Sequence, residues 1–236
     1  MTDLLFLTDA YLKEFEATVL EQVEGGVVLD RTAFYPGGGG QPCDFGELKA
    51  GGQVWMVTKV QRMNGLPVHF IAGGLPAVGT AVSGHLDWDR RYKLMRTHTA
   101  MHILCGVIWR DYGAAVTGGN MEPLSARMDF EFETMRKEFV AEIETAVNRE
   151  VAAARPTQVK ILPRAEAFQI PDLIRTKINL LPAGIQEVRT VELVGLDLQA
   201  DGGTHVANTS EVGTIRIPNY KSKGKINKRI YVELDE

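Results

Sequence analysis

His98 and His102 stand four apart in the run 96–105, which reads Arg-Thr-His-Thr-Ala-Met-His-Ile-Leu-Cys. On a helix that spacing sends both imidazoles from one face, a turn apart, close enough to grip one metal ion. About a hundred residues later comes Asp201-Gly202-Gly203-Thr204-His205, again with two ligand types four apart, here around a Gly-Gly turn. Catalytic zinc sites take three protein ligands from His, Cys and carboxylate and keep one position open. His98, His102, His205 and Asp201 match that donor chemistry. Three of only five histidines fall in these two clusters, which favours one shared ion over two unrelated features. His69 and His85 lie in β-rich sequence and read as ordinary strand or surface residues.

Other metal and nucleotide chemistries are excluded by what is missing. The general base of an HExxH metalloprotease would occupy position 99, which is Thr. Cys43 and Cys105 form no CxxC pair, and Cys105 reads as core. The run Phe34-Tyr35-Pro36-Gly37-Gly38-Gly39-Gly40-Gln41-Pro42 lacks the GK[ST] ending of a P-loop. Four successive glycines cost backbone entropy, so a positive φ or a close backbone approach must require them.

The elements that must position these residues divide near residue 88. Before it, short β-branched or aromatic runs at 17–20, 26–30, 53–60, 68–71 and 81–87 alternate with Gly-rich turns, the pattern of a small β-barrel. After it, apolar spacing predicts a helix from Trp88 to about Arg110. A loop follows at 117–121, then a strand over 125–132 and a long helix that Thr134 would cap. Strands follow over 157–162, 186–193, 213–217 and 229–234, with a short helix from Arg164. The expected fold is therefore α+β: a β-barrel domain over 1–88, then an α+β sandwich over 89–236 with an antiparallel sheet and two long helices.

The 236 residues are 44% hydrophobic and 24% charged, ordinary for a soluble globular chain. No apolar run approaches the roughly 18 residues that span a bilayer, and no secretory signal opens the chain. With two cysteines, a reduced cytoplasmic protein is expected. The net charge is −4, yet Arg216, Lys221, Lys223, Lys225, Lys228 and Arg229 form a stretch free of acids. Arg90, Arg91, Lys93 and Arg96 lead into the histidine helix. Local basic patches of this kind suit phosphate contacts.

The motifs at 96–102 and 197–213, with the glycine run at 34–42, resemble the editing domain of alanyl-tRNA synthetase. They are similar above all to the free-standing alanyl-tRNA editing proteins, the AlaX family. The resemblance implies a deacylase with one zinc ion per chain that hydrolyses mischarged Ser-tRNA(Ala), and it leaves Gly-tRNA(Ala) open as a further substrate. A synthetase pocket for alanine cannot strongly reject an analogue that only adds a hydroxyl, so a second site must remove it. By position Thr117 matches the family's serine-sensing threonine, with Asn120 as reserve. Thr117, His98 and His102 are the expected catalytic residues, and the backbone of Gly37, Gly38, Gly39 and Gly40 is expected to approach the substrate, which would account for its entropic cost. From their charge, Arg96, Lys221, Lys223, Lys225, Lys228 and Arg229 are expected to contact tRNA phosphates. The family usually has Cys where this chain has Asp201, so either aspartate ligates the metal or the three histidines do so alone. Two other classes compete: a non-catalytic RNA-binding module with a structural metal, and a metal-dependent esterase of small molecules.

Overall fold

The computed structural model describes residues 2–175 and 184–236, which divide into two compact units, Met1–Lys93 and Leu94–Glu236. The first contains strands β1 (Asp3–Leu4), β2 (Glu14–Val23), β3 (Gly26–Leu29), β4 (Arg31–Thr32), β5 (Gly46–Ala50), β6 (Gln53–Met63), β7 (Leu66–Ile71) and β8 (Ala81–Leu86). Six of them close a barrel in the order β2-β3-β7-β6-β5-β8, every neighbouring pair antiparallel. Period-two alternation on β2 turns Phe15, Ala17 and Val19 inward, where they meet Val27, Leu29, Leu48, Val57, Val60, Ile71 and Val82. Closure leaves those strands without a free edge. Gly84 makes room for the Phe15 ring, since a Cβ there would lie 2.4 Å from it.

Four glycines in a row occur where the backbone demands them. Gly37, Gly38, Gly39 and Gly40 all have positive φ, between 59° and 133°. Gly38 and Gln41 exchange backbone hydrogen bonds, and the Tyr35 hydroxyl donates to the Gly38 carbonyl. The base of this loop rests on a fully buried ion pair. Arg91 donates to both carboxylate oxygens of Asp44, to the Ala10 carbonyl and to the Ala33 carbonyl. Asp44 in turn accepts from the Tyr35 N–H at 2.6 Å.

The helix α1 (Trp88–Tyr112) leads into the second unit. There follow β9 (Val116–Glu122), β10 (Ser125–Glu131), α2 (Lys137–Ala152), β11 (Thr157–Pro163), α3 (Arg164–Ala167), β12 (Glu187–Leu193), β13 (Asp197–Ala200), β14 (Ile215–Ser222) and β15 (Asn227–Leu234). Two antiparallel sheets result, ordered β14-β15-β10-β9 and β11-β12-β13. From Thr97 to Ile108, α1 is buried on every face, so it is the core of this unit and not a surface helix. By contrast, α2 is amphipathic and buries Val140, Ile143 and Val147. The α+β architecture, the barrel and the two long helices agree with the sequence reading.

Two local expectations are corrected. The segment 117–121, read as a loop from its Thr-Gly-Gly-Asn composition, is strand β9. Pairing with β10 supplies its backbone partners, and Gly119 lets Met101 of α1 approach to 3.0 Å of where a Cβ would stand. Thr134 does not cap α2: the helix starts at Lys137, and the capping position is Arg136, which makes no side-chain cap hydrogen bond.

Candidate metal centre

The buried middle of α1 presents His98 and His102 on one side, and the chain after β13 brings Asp201 and His205 to them. One ligand atom from each of the four lies within 4.8 Å of the others. The ring centroids are 5.1 Å apart for His98–His102, 4.2 Å for His98–His205 and 4.6 Å for His102–His205. Asp201 Oδ2 stands 3.0 Å from His205 Nε2, and its Oδ1 stands 3.7 Å from His98 Nε2. Zinc bonds of about 2.0–2.2 Å keep ligands of one ion within about 4 Å of each other, so the cluster needs only a small contraction.

Each imidazole also has a supporting partner. His102 Nδ1 is 3.0 Å from Asp197 Oδ2, and His205 Nδ1 is 3.2 Å from the Thr99 hydroxyl. The Thr204 backbone hydrogen-bonds His98. Thr99 further accepts from the Val206 N–H, which ties the ligand segment to the helix between the two ligand histidines. Partners of this sort orient metal-binding histidines and fix the ring nitrogen that faces the ion.

Asp201 is held just as firmly. Its carboxylate accepts from the Gly203 N–H at 2.8 Å, its backbone carbonyl accepts from Arg189 Nη1 at 2.9 Å, and its N–H donates to the Arg189 carbonyl. The electrostatics suit metal ligation. Burial pushes His98 down to about 4 against the pull of Asp201, and burial with the neighbouring His98 holds His205 well below its usual range. Both shifts favour the neutral ring that a metal ligand requires. Burial disfavours charge on Asp201, but the three histidines outweigh it and hold the carboxyl well below the carboxylate range. His102 moves the other way. Burial opposes its charge, yet the hydrogen bond and charge of Asp197 prevail and raise it.

Asp197 is the residue that inspection of the motifs missed. It is buried at the start of β13, where Gln199 donates to its Oδ2 at 2.6 Å and Arg175 lies 3.5 Å from its Oδ1. The available signal was its alternation with Gln199 on the short strand leading into the ligand segment. Gly106, one helical turn beyond His102, admits Asp197 to the helix. A Cβ at 106 would lie 2.8 Å from the Leu196 side chain and 3.0 Å from Asp197 Cβ.

The remaining expected site residues stand elsewhere in the described contacts. Thr117 is exposed at the β9 bulge, and its hydroxyl donates to Asn227 Oδ1 at 2.8 Å. Asn120 is exposed on the same strand. Arg96 donates to the carbonyls of Val212 and Asp235, and Lys228 donates to the carbonyls of Gly224 and Lys225. Arg229 forms a two-pronged pair with Asp129. Lys221, Lys223 and Lys225 are exposed on or beside the β14–β15 hairpin.

Comparison with known proteins adds a family to this geometry. The chain is 43% identical over 235 residues to an alanyl-tRNA editing protein AlaX-M of Saccharolobus solfataricus, covering 98% of both chains. It is 40% identical over 242 residues to an AlaX-M of Methanosarcina barkeri, covering 99% of both. The chain belongs to the AlaX-M family. It also matches an alanine–tRNA ligase of Pyrobaculum aerophilum at 43% identity, over 90% of this chain but 25% of that protein. The profile described as tRNA synthetases class II (A) matches residues 5–90, and the threonyl and alanyl tRNA synthetase second additional domain matches residues 188–231. That second match contains Asp201 and His205. No helix among the described residues is long and apolar enough to cross a membrane.

Proposed function

We propose that this chain is a zinc-dependent editing hydrolase that cleaves the ester of mischarged Ser-tRNA(Ala) in the cytoplasm. The observation that carries this is the convergence of three imidazoles and one carboxylate within 4.8 Å, in a member of a family whose relatives are named alanyl-tRNA editing proteins. His98, His102, His205 and Asp201 would hold one zinc ion. When bound, the ion supplies Lewis-acid chemistry that lowers the barrier to attack of water on the ester carbonyl. Water enters as the nucleophile, the acyl–oxygen bond breaks, and the products are free serine and a tRNA with its terminal ribose hydroxyl restored.

The protein's own part is positioning. Thr99, Asp197 and the Thr204 backbone hold the rings, and Arg189 with the Gly203 N–H holds Asp201. The glycine loop at 37–40 would present bare backbone to the substrate. Lys221, Lys223 and Lys225 would meet tRNA phosphates, which positions the tRNA without reading its sequence.

The test is deacylation of Ser-, Gly- and Ala-tRNA(Ala) together with metal analysis. Ser-tRNA(Ala) should be hydrolysed and Ala-tRNA(Ala) spared, and His102→Ala should abolish hydrolysis and reduce bound zinc. Activity that survives in metal-free protein would remove the metal from the mechanism. Binding of tRNA without hydrolysis would replace the enzyme by a non-catalytic module.

A further inference from the structure

We infer that Asp197 is a positioning residue that fixes His102 as an Nε2 ligand by holding a proton on its Nδ1. This role for Asp197 rests on the metal reading above. Asp197 Oδ2 lies 3.0 Å from His102 Nδ1, and that buried nitrogen makes no aligned hydrogen bond to any described residue. A carboxylate oxygen only accepts. If Nδ1 carried a lone pair, two electron-rich atoms would face each other at 3.0 Å in a buried site. A proton on Nδ1 turns that repulsion into an attraction between the N–H and the carboxylate and leaves the Nε2 lone pair for the cluster.

The carboxylate is itself held in place. Gln199 Nε2 donates to Oδ2 at 2.6 Å, so one oxygen faces two donors. Arg175, whose guanidinium lies over the Trp109 ring at 4.6 Å, stands beside the other oxygen at 3.5 Å. Gly106 removes the side chain that would keep Asp197 off the helix. Gln199, Arg175 and Gly106 thus all bear on Asp197, the one residue that approaches His102 Nδ1. A carboxylate that served only to pair Arg175 would need neither Gly106 nor the approach to His102.

Partners that orient metal ligands are worth 10- to 100-fold in metal affinity. Zinc affinity of the full chain should be measured by competition with a chromophoric chelator, for the natural protein and for Asp197→Asn. The substitution keeps the shape but removes the charge that both Gln199 and His102 face. Asp197→Asn should bind zinc 10- to 100-fold more weakly, with an unchanged circular dichroism spectrum in the metal-free state. Nitrogen NMR of the natural protein should place the His102 proton on Nδ1, with and without zinc.

Zinc binding by Asp197→Asn within twofold of the natural protein overturns the inference, and so does an Nε2–H tautomer of His102. Should the variant fail to fold, the tautomer of the natural protein decides. A natural protein that binds no zinc defeats the metal reading of the preceding section, and the tautomer still decides the role of Asp197.

Discussion

Removing the carboxylate beneath the glycine loop should destabilise the first unit far more than its place outside the metal cluster suggests. Arg91 is 0% exposed, and its guanidinium partners among the described residues are acceptors: Asp44 and the carbonyls of Ala10 and Ala33. In Asp44→Leu a buried cation keeps two carbonyls but loses its counter-charge, and the Tyr35 N–H loses its acceptor. Stranding one member of a buried pair costs about 3–5 kcal/mol. An orphaned N–H adds about 1–3 kcal/mol. A natural domain holds only about 5–15 kcal/mol in total, so the loss consumes much of the stability of this unit. The exposed pair Arg216–Asp235 is the control, because surface pairs contribute about 0–1 kcal/mol.

The double variant Arg91→Met/Asp44→Leu sharpens the test. It removes both charges and leaves only neutral orphans at Ala10, Ala33 and Tyr35, so it should be no less stable than Asp44→Leu alone. Urea unfolding of the two single variants and the double variant gives the cycle. Single-variant losses that simply add in the double would show that the two groups are not coupled and refute the reasoning. An Asp44→Leu effect no larger than that of Arg216→Ala would refute it equally.

Three further outcomes follow from the same contacts. His69, enclosed in the barrel between the Thr32 hydroxyl and the Val27 carbonyl, is pushed by burial down to about 4 from 6.5. The unfolded chain therefore binds the extra proton first. This contribution is complete above about pH 6.5 and is lost as pH falls toward 4, worth about 3 kcal/mol. His69→Gln should flatten urea stability across that window, and an unchanged pH profile would contradict the burial argument. Zinc at 100 times its dissociation constant should stabilise the natural protein by about 2.7 kcal/mol and leave His102→Ala unmoved, as read from thermal melts with and without chelator. Gly106→Ala should gain about 1 kcal/mol from helix propensity. It should lose about 1–3 kcal/mol by overpacking against Leu196 and Asp197. A net stabilised variant with full zinc affinity would show that the close approach is unimportant.

The barrel was legible in sequence because its strands alternate apolar and polar residues between Gly-rich turns, as β2 does with Phe15, Ala17 and Val19. Strand β5 was harder to see, since Leu48 is its only buried residue and pairing with β6 and β8 supplies the rest of its order. Strand β9 was misread because its two glycines signal a turn locally, whereas the helix beside it needs Gly119 small. The histidine pair was visible from spacing alone. Its supports were not, because Asp197, Thr99 and Arg189 reach the ligands through tertiary contacts that no short motif encodes. The same holds for the basic stretch, where Lys228 and Arg229 read like Lys221 but are bound to Gly224, Lys225 and Asp129.

The four candidate ligands come from two places roughly 100 residues apart in the chain. An unfolded chain therefore offers an ion only half-sites, one His-x3-His and one Asp-x3-His, each with two donors. Full coordination exists only once the loop between them has closed, at an entropic cost that grows with the logarithm of its length. A bound ion is then a removable cross-link, comparable in reach to a disulfide but opened by a chelator instead of a reductant. Binding of an ion there would stabilise the folded second unit by mass action, and a chelator would withdraw that stabilisation without breaking a covalent bond.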